Sequence, residues 1–190
     1  ANVGIPLVTK GRGESDGSNL DMNYFFGLSN GKLAADFEED ETGPNANGLN
    51  HPVIGNATVS TNAWHHAAVT YDGQVWKLYL DGNLDKTLDL GTTLWPRDDS
   101  IQHAGIATAM TSTGVTDGFF QGSMDEVRIW NYARTLAEIR SSANAQLTSG
   151  TGLVARWGMG EGSGIKINSS VGTFPGTLTD GPTWVIPGAP

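Results

Sequence analysis

Two Asp-Gly pairs, Asp72-Gly73 and Asp81-Gly82, bracket the run Trp76-Lys77-Leu78-Tyr79-Leu80. No other feature constrains the fold as much. Asp-Gly accepts the left-handed backbone of tight hairpin turns, so each pair reads as a chain reversal. Between them Trp76, Leu78 and Leu80 alternate with Lys77, Tyr79 and Asp81, the period of a two-faced strand. The segment before the first pair, Trp64 to Tyr71, places Ala67, Val69 and Tyr71 on one face. Together these runs describe an antiparallel meander. A further hairpin signal is Asn30-Gly31, set between Tyr24–Leu28 and Leu33–Phe37.

The rest of the chain repeats this grammar. Ile5–Val8 is a short apolar run, and short strands are expected at Val53–Ser60, Ile101–Ala109, Gly122–Trp130, Leu153–Trp157 and Thr183–Ile186. Lys10–Gly17 and Glu38–Asn50 read as loops. Thr135 and Glu138 form a capping box ahead of Leu136 and Ile139, which predicts one short helix fading by about Asn144. The class is therefore all-β with one short helix. Residues 1–186 read as a single domain, and 187–190 as a tail or linker.

Composition narrows the function. A formal charge of -9 disfavours nucleic acid and anionic membranes, and is compatible with divalent cations or neutral glycans. The absence of cysteine excludes disulfides, zinc–thiolate sites and cysteine nucleophiles. No apolar run reaches the ~20 residues of a membrane-spanning helix. The 26 glycines suit many tight turns.

Three segments resemble the laminin G-like, or LamG-like jelly-roll, family. Trp64-His65-His66-Ala67-Ala68-Val69-Thr70-Tyr71-Asp72-Gly73 runs into Trp76-Lys77-Leu78-Tyr79-Leu80-Asp81-Gly82. Gly122-Ser123-Met124-Asp125-Glu126-Val127-Arg128-Ile129-Trp130-Asn131 leads to Ala133, Leu136, Glu138 and Ile139. Gly152-Leu153-Val154-Ala155-Arg156-Trp157 precedes Glu161-Gly162-Ser163-Gly164 and Gly181-Pro182-Thr183-Trp184-Val185. The resemblance implies a concanavalin A-like sandwich, two facing antiparallel sheets in a jelly roll. In such domains the segment like Leu153–Gly164 usually stands first, so the opening strands are expected from permutation, from the rest of a truncated domain, or from a companion chain or fragment.

Candidate chemistry is sparse. Glu38-Glu39-Asp40-Glu41 is the stretch most like a paired-carboxylate glycosidase motif, but it lacks interleaved apolar residues and reads as a solvated turn. His65 and His66 are neighbours on an expected strand and point to opposite faces. Trp95, Arg97 and Asp98 supply an aromatic platform and planar polar groups within one loop, and Tyr79 is expected on an open sheet face opposite Trp76. The resemblance also implies a structural calcium at Asp125, with Glu161 and Asn168 closing its loop. The expected function is a non-catalytic binding module of an extracellular or cell-surface protein, recognising carbohydrate or an extracellular protein ligand. The alternatives are an adhesive spacer in a tandem array and, last, a glycoside hydrolase.

Overall fold

A computed structural model describes residues 4–40 and 48–189. The chain divides into two compact units, Ala1–Gln121 and Gly122–Pro190. The first contains β1 (Ile5–Lys10), β2 (Tyr24–Ser29), β3 (Lys32–Phe37), β4 (Val53–Thr58), β5 (Ala67–Tyr71), β6 (Val75–Leu80), β7 (Asn83–Asp89), β8 (Ala104–Ile106), β9 (Thr108–Met110) and β10 (Thr116–Phe119). They form sheets of order β4-β3-β2-β1-β8 and β5-β6-β7, plus a β10-β9 ribbon, all antiparallel.

The turn chemistry sets the registers. Asn30 and Gly31 adopt φ of 50° and 74°, and β2 pairs with β3 from Ser29↔Lys32 to Tyr24↔Phe37. Asp81 and Gly82 do the same at 51° and 70°, joining β6 to β7. Both are primed turns, whose twist matches that of the strands.

In that register Leu33, Ala35 and Phe37 share one face of β3, and all three are buried. Phe37 packs its ring 4.8 Å from Tyr71 and 5.4 Å from Trp76, which belong to the other sheet. The Trp76 indole donates to the His51 carbonyl at 3.1 Å. This aromatic cluster is the core between the two sheets, and each such pair adds about 1 kcal/mol beyond burial of area.

The expected strand Ile101–Ala109 is two strands. Ala107 at φ 63° breaks it, so β8 pairs with β1 while β9 pairs with β10. The expected loop after Phe37 also differs: Glu38 and Glu39 are buried and bridge to Asn50 and Pro96, extending β3 beyond its assigned end. Glu41 lies outside the described residues.

The second unit holds β11 (Val127–Trp130), α1 (Leu136–Ser142), β12 (Leu153–Trp157), β13 (Lys166–Ile167), β14 (Ser169–Val171) and β15 (Gly176–Thr177). Its sheet has the order β11-β12-β14, beside a β13-β15 ribbon. β11 starts later than the alternation predicts because Glu126 sits at φ 54°. The capping box forms as expected: Thr135 N–H donates to Glu138 Oε2 at 2.7 Å, and Glu138 N–H donates to Thr135 Oγ1 at 3.3 Å. Those bonds, with one from the Tyr132 hydroxyl, hold the Glu138 carboxyl down at about 2. Thr183–Ile186 forms no strand.

Candidate functional site

The five-residue strap Trp95-Pro96-Arg97-Asp98-Asp99 is held by the buried extension of β3. Glu39 bridges Pro96, Arg97 N–H donates to Glu38 O at 2.9 Å, and Asp40 N–H donates to Trp95 O at 3.3 Å. Asp40 therefore stands directly opposite Trp95 in the antiparallel register. From the other side, Leu94 N–H donates to Gly73 O at 2.8 Å, and the Tyr71 hydroxyl donates to Leu94 O at 2.8 Å.

These restraints set the Trp95 indole over the β5–β6 turn. A Cβ built on Gly73 would come within 2.8 Å of the indole, so only glycine lets the ring lie this close to the backbone. Gly73 is buried beneath it, yet Trp95 remains 62% exposed. The result is an aromatic surface with a backbone floor on one side and solvent on the other.

Two residues expected at the ligand surface are elsewhere. Arg97 is 2% exposed, with its Nε donating to Asp99 at 2.8 Å. Tyr79 is also 2% exposed, because β6 is the central strand of its sheet and is buried on both faces at this position. Neither side chain offers a surface to a ligand. Trp95 and Asp98 are exposed, and Asp98 makes no hydrogen bond or ion pair with any described residue.

Behind the strap lies a set of buried carboxyls that alternation alone did not reveal. Glu38 Oε2 accepts from Asn50 Nδ2 at 2.7 Å, while Oε1 is buried without a hydrogen-bond partner. Burial, then repulsion from Asp21 and Asp16, pushes its carboxyl up to about 7 against the pull of Arg97. Burial likewise lifts Asp36 to about 6, despite backbone hydrogen bonds at His51 and Phe37. The adjoining loop after β1 is fixed by buried Gln102, whose Oε1 accepts from Arg12 N at 2.6 Å and Gly13 N at 3.0 Å.

A second cluster joins loop and hairpin in the same unit. His65 Nδ1 lies 2.8 Å from Asp81 Oδ2, and its Nε2 lies 2.9 Å from Ser60 Oγ. Serine, imidazole and carboxylate are thus in line. The same Nε2 also lies 3.2 Å from the Ser60 carbonyl, and the Asp81 side chain is 48% exposed. A proton relay needs a buried, undivided line, so this geometry is a clip holding the Ser60–His65 loop to the β6–β7 turn. Sequence reasoning missed it because Asp81 comes to His65 only across the β5–β6 hairpin. Beside it, a shallow recess of about 290 Å³ is lined by Ala57, Leu80, Asp81, Asn83, Leu84 and Asp85. The Asp85 carboxylate there accepts from Asn56 N at 3.0 Å and Ala57 N at 2.8 Å.

The residues expected to hold calcium lie in the second unit. Asp125 Oδ1 accepts from Glu126 N at 2.9 Å, and Oδ2 accepts from Ala189 N at 2.7 Å. Both oxygens are engaged by backbone amides, one of them in the segment expected to be a tail or linker. Glu161 Oε1 accepts from Asn168 N at 2.7 Å, and its Oε2 is buried without a hydrogen-bond partner. Among the described residues no group of three or more His, Cys, Asp or Glu side chains is placed to hold a metal ion. As arranged, Asp125 clamps a chain segment through those two amides.

The Glu126 carboxylate binds two arginines, accepting from Arg128 Nη2 at 2.9 Å and Arg156 Nε at 3.0 Å. Burial alone would raise this carboxyl, but hydrogen bonds from Arg156 and Arg128 outweigh it and hold it below its ordinary value. The network is structural: Arg128 also donates to Ser142 O at 2.9 Å, tying α1 to β11.

The fold is similar to that of a Bacteroides ovatus ATCC 8483 protein described as a "putative carbohydrate binding protein". The TM-score is 0.64 and the identity 20%, over 90% of this chain and 46% of that one. The chain thus spans less than half of that protein's length. An S-layer domain-containing protein from Clostridium thermocellum ATCC 27405 shares 19% identity over 68% of this chain and 59% of that one. Its TM-score of 0.39 is too low to carry an argument. The Laminin_G_3 family, described as the Concanavalin A-like lectin/glucanases superfamily, matches residues 5–140. With the two antiparallel sheets packed around Phe37, Tyr71 and Trp76, that match makes this chain a member of the concanavalin A-like lectin/glucanase superfamily.

Proposed function

We propose that this chain is a non-catalytic carbohydrate-binding module of an extracellular or cell-surface protein, and that Trp95 is its sugar platform. The observation that carries the reading is the Trp95 indole, largely exposed and seated on the backbone of Gly73. Apolar sugar faces stack on such rings, and a ring fixed in advance loses little freedom on binding. The Bacteroides ovatus neighbour, described as carbohydrate binding, supports the ligand class. Burial of Glu38 and Glu39 supports a non-catalytic role, since neither carboxylate is open to a substrate. An extracellular setting accords with the acidic composition. No described helix is long and apolar enough to cross a membrane.

The test is a glycan array followed by calorimetry on the protein and on Trp95→Ala. The variant is expected to keep its melting temperature and to lose about tenfold or more in affinity for every glycan bound. No glycan binding by the unmodified protein would favour a structural or adhesive spacer instead.

A further inference from the structure

The construction beneath Trp95 recurs in the second unit. The loop after β11 leaves Asn131 and Tyr132 exposed, and Asn131 N–H donates to Gly152 O at 2.9 Å. Gly152, at φ 79°, receives the Tyr132 ring so closely that a Cβ built on it would come within 2.6 Å of two ring carbons. Only glycine provides that seat. Tyr132 nevertheless remains 41% exposed. Its ring also meets Trp130 edge-on, with centroids 6.1 Å apart and planes at 84°. Trp130 is in turn covered by the Arg134 guanidinium, 4.1 Å from the ring centre.

Contacts place polar groups at this ring. The same point above Gly152 lies 2.7 Å from Asn131 Oδ1, so the amide oxygen and the ring edge are neighbours. The Tyr132 hydroxyl donates to Glu138 Oε1 at 2.7 Å, which sets a carboxylate at the hydroxyl end of the ring. Glu138 Oε2 accepts from Thr135 N–H and Thr135 Oγ1, each at 2.7 Å. A carboxylate accepts about four hydrogen bonds. With these made, Oε1 keeps room for one more donor beside the ring. The group stays ionised, because its carboxyl titrates at about 2. An aromatic face with a planar amide and a charged acceptor beside it can hold a sugar. The apolar face of the sugar lies on the ring, and its hydroxyls donate to the carboxylate and the amide oxygen.

We infer that Tyr132, Asn131 and Glu138 form a second carbohydrate site, which takes neutral sugars through stacking on Tyr132 and hydroxyl donation to Glu138. The inference rests on the carbohydrate-binding reading and adds a site to it. A sugar carboxylate would face the Glu138 charge, so uronic and sialic acids are disfavoured. Tyrosine offers a smaller face than tryptophan, and Tyr132 is less exposed than Trp95, so the second site is the weaker of the two. The residual affinity of Trp95→Ala then belongs to Tyr132.

The experiment is a calorimetric titration of the full chain with neutral oligomers of glucose, N-acetylglucosamine, galactose, mannose and xylose. It is run on the unmodified protein, Trp95→Ala, Tyr132→Ala, the double variant and Asn131→Ala, each checked for folding by its melting curve. For the oligomers that bind, the unmodified protein is expected to show two binding events, the second about tenfold weaker than the first. Trp95→Ala is expected to leave only the weaker event, Tyr132→Ala only the tighter one, and the double variant neither. Asn131→Ala keeps the ring and its seat, and is expected to weaken the second event about threefold or more at an unchanged melting temperature. A single event that Trp95→Ala abolishes would overturn the second site and leave the Trp95 reading standing. A weaker event that survives Tyr132→Ala would overturn its assignment to this ring. Failure of every oligomer to bind would remove the carbohydrate reading itself, and this site with it.

Discussion

The indole of Trp95 rests on Gly73, close enough that a Cβ on Gly73 would come within 2.8 Å of the ring. Gly73 also sits at φ 101°, where side-chain-bearing residues are strained. Gly73→Ala is therefore expected to lift the indole off its floor and to cost about 1–3 kcal/mol of stability. Sugar affinity should fall with it, as in Trp95→Ala. The two variants differ in melting temperature, which drops in Gly73→Ala and holds in Trp95→Ala. A Gly73→Ala protein with unaltered affinity would show that the floor does not position the ring.

Asp85 answers two backbone amides of β4, at Asn56 and Ala57. Its removal leaves those amides to solvent at the rim. Asp85→Ala is expected to lose about 1–2 kcal/mol, read from chemical denaturation. A loss below a few tenths would mean that water replaces the carboxylate without penalty.

Glu38 and Asp36 should govern the pH dependence of stability. Their folded carboxyls titrate at about 7 and about 6, above the ordinary values of 4.5 and 3.8. Folding thus favours their protonated forms. This contribution is fully present below the ordinary values and is lost as pH rises through the folded ones. Melting temperature is expected to fall between about pH 4 and about pH 7, and Glu38→Gln should flatten the fall and melt higher at the alkaline end. A variant that tracks the unmodified protein across this range would place the titration elsewhere.

Calcium should leave the melting temperature where EDTA leaves it, because Asp125 already accepts from Glu126 and Ala189. A ligand that binds only the folded state raises that temperature. A calcium-dependent rise, abolished in Asp125→Asn, would mean that the carboxylate exchanges its amides for the ion.

What the sequence made legible was local. Asn30-Gly31 and Asp81-Gly82 announced their turns because few residues accept left-handed backbone, and Thr135 with Glu138 announced α1 because the capping bonds span a single helical turn. Burial of polar residues was not legible. Arg97 is interior because the strap carrying it pairs with β3's extension, a contact set by residues far away in the chain. Tyr79 alternates as an exposed residue would, but a central strand can bury both faces, and alternation does not distinguish the two cases. The exposure of Trp95 could be proposed from its loop, whereas its floor at Gly73 could not. β10 and β13 to β15 were missed because they are short and rich in glycine or polar residues.

Asp85 has one more consequence. β4 is the outer strand of its sheet, and outer strands invite a strand from another molecule to add on. At Asn56 and Ala57 that invitation is already answered from within, so a neighbouring copy finds no free donors at those two positions. A strand arriving from a neighbouring copy would have to displace the Asp85 carboxylate before it could pair there.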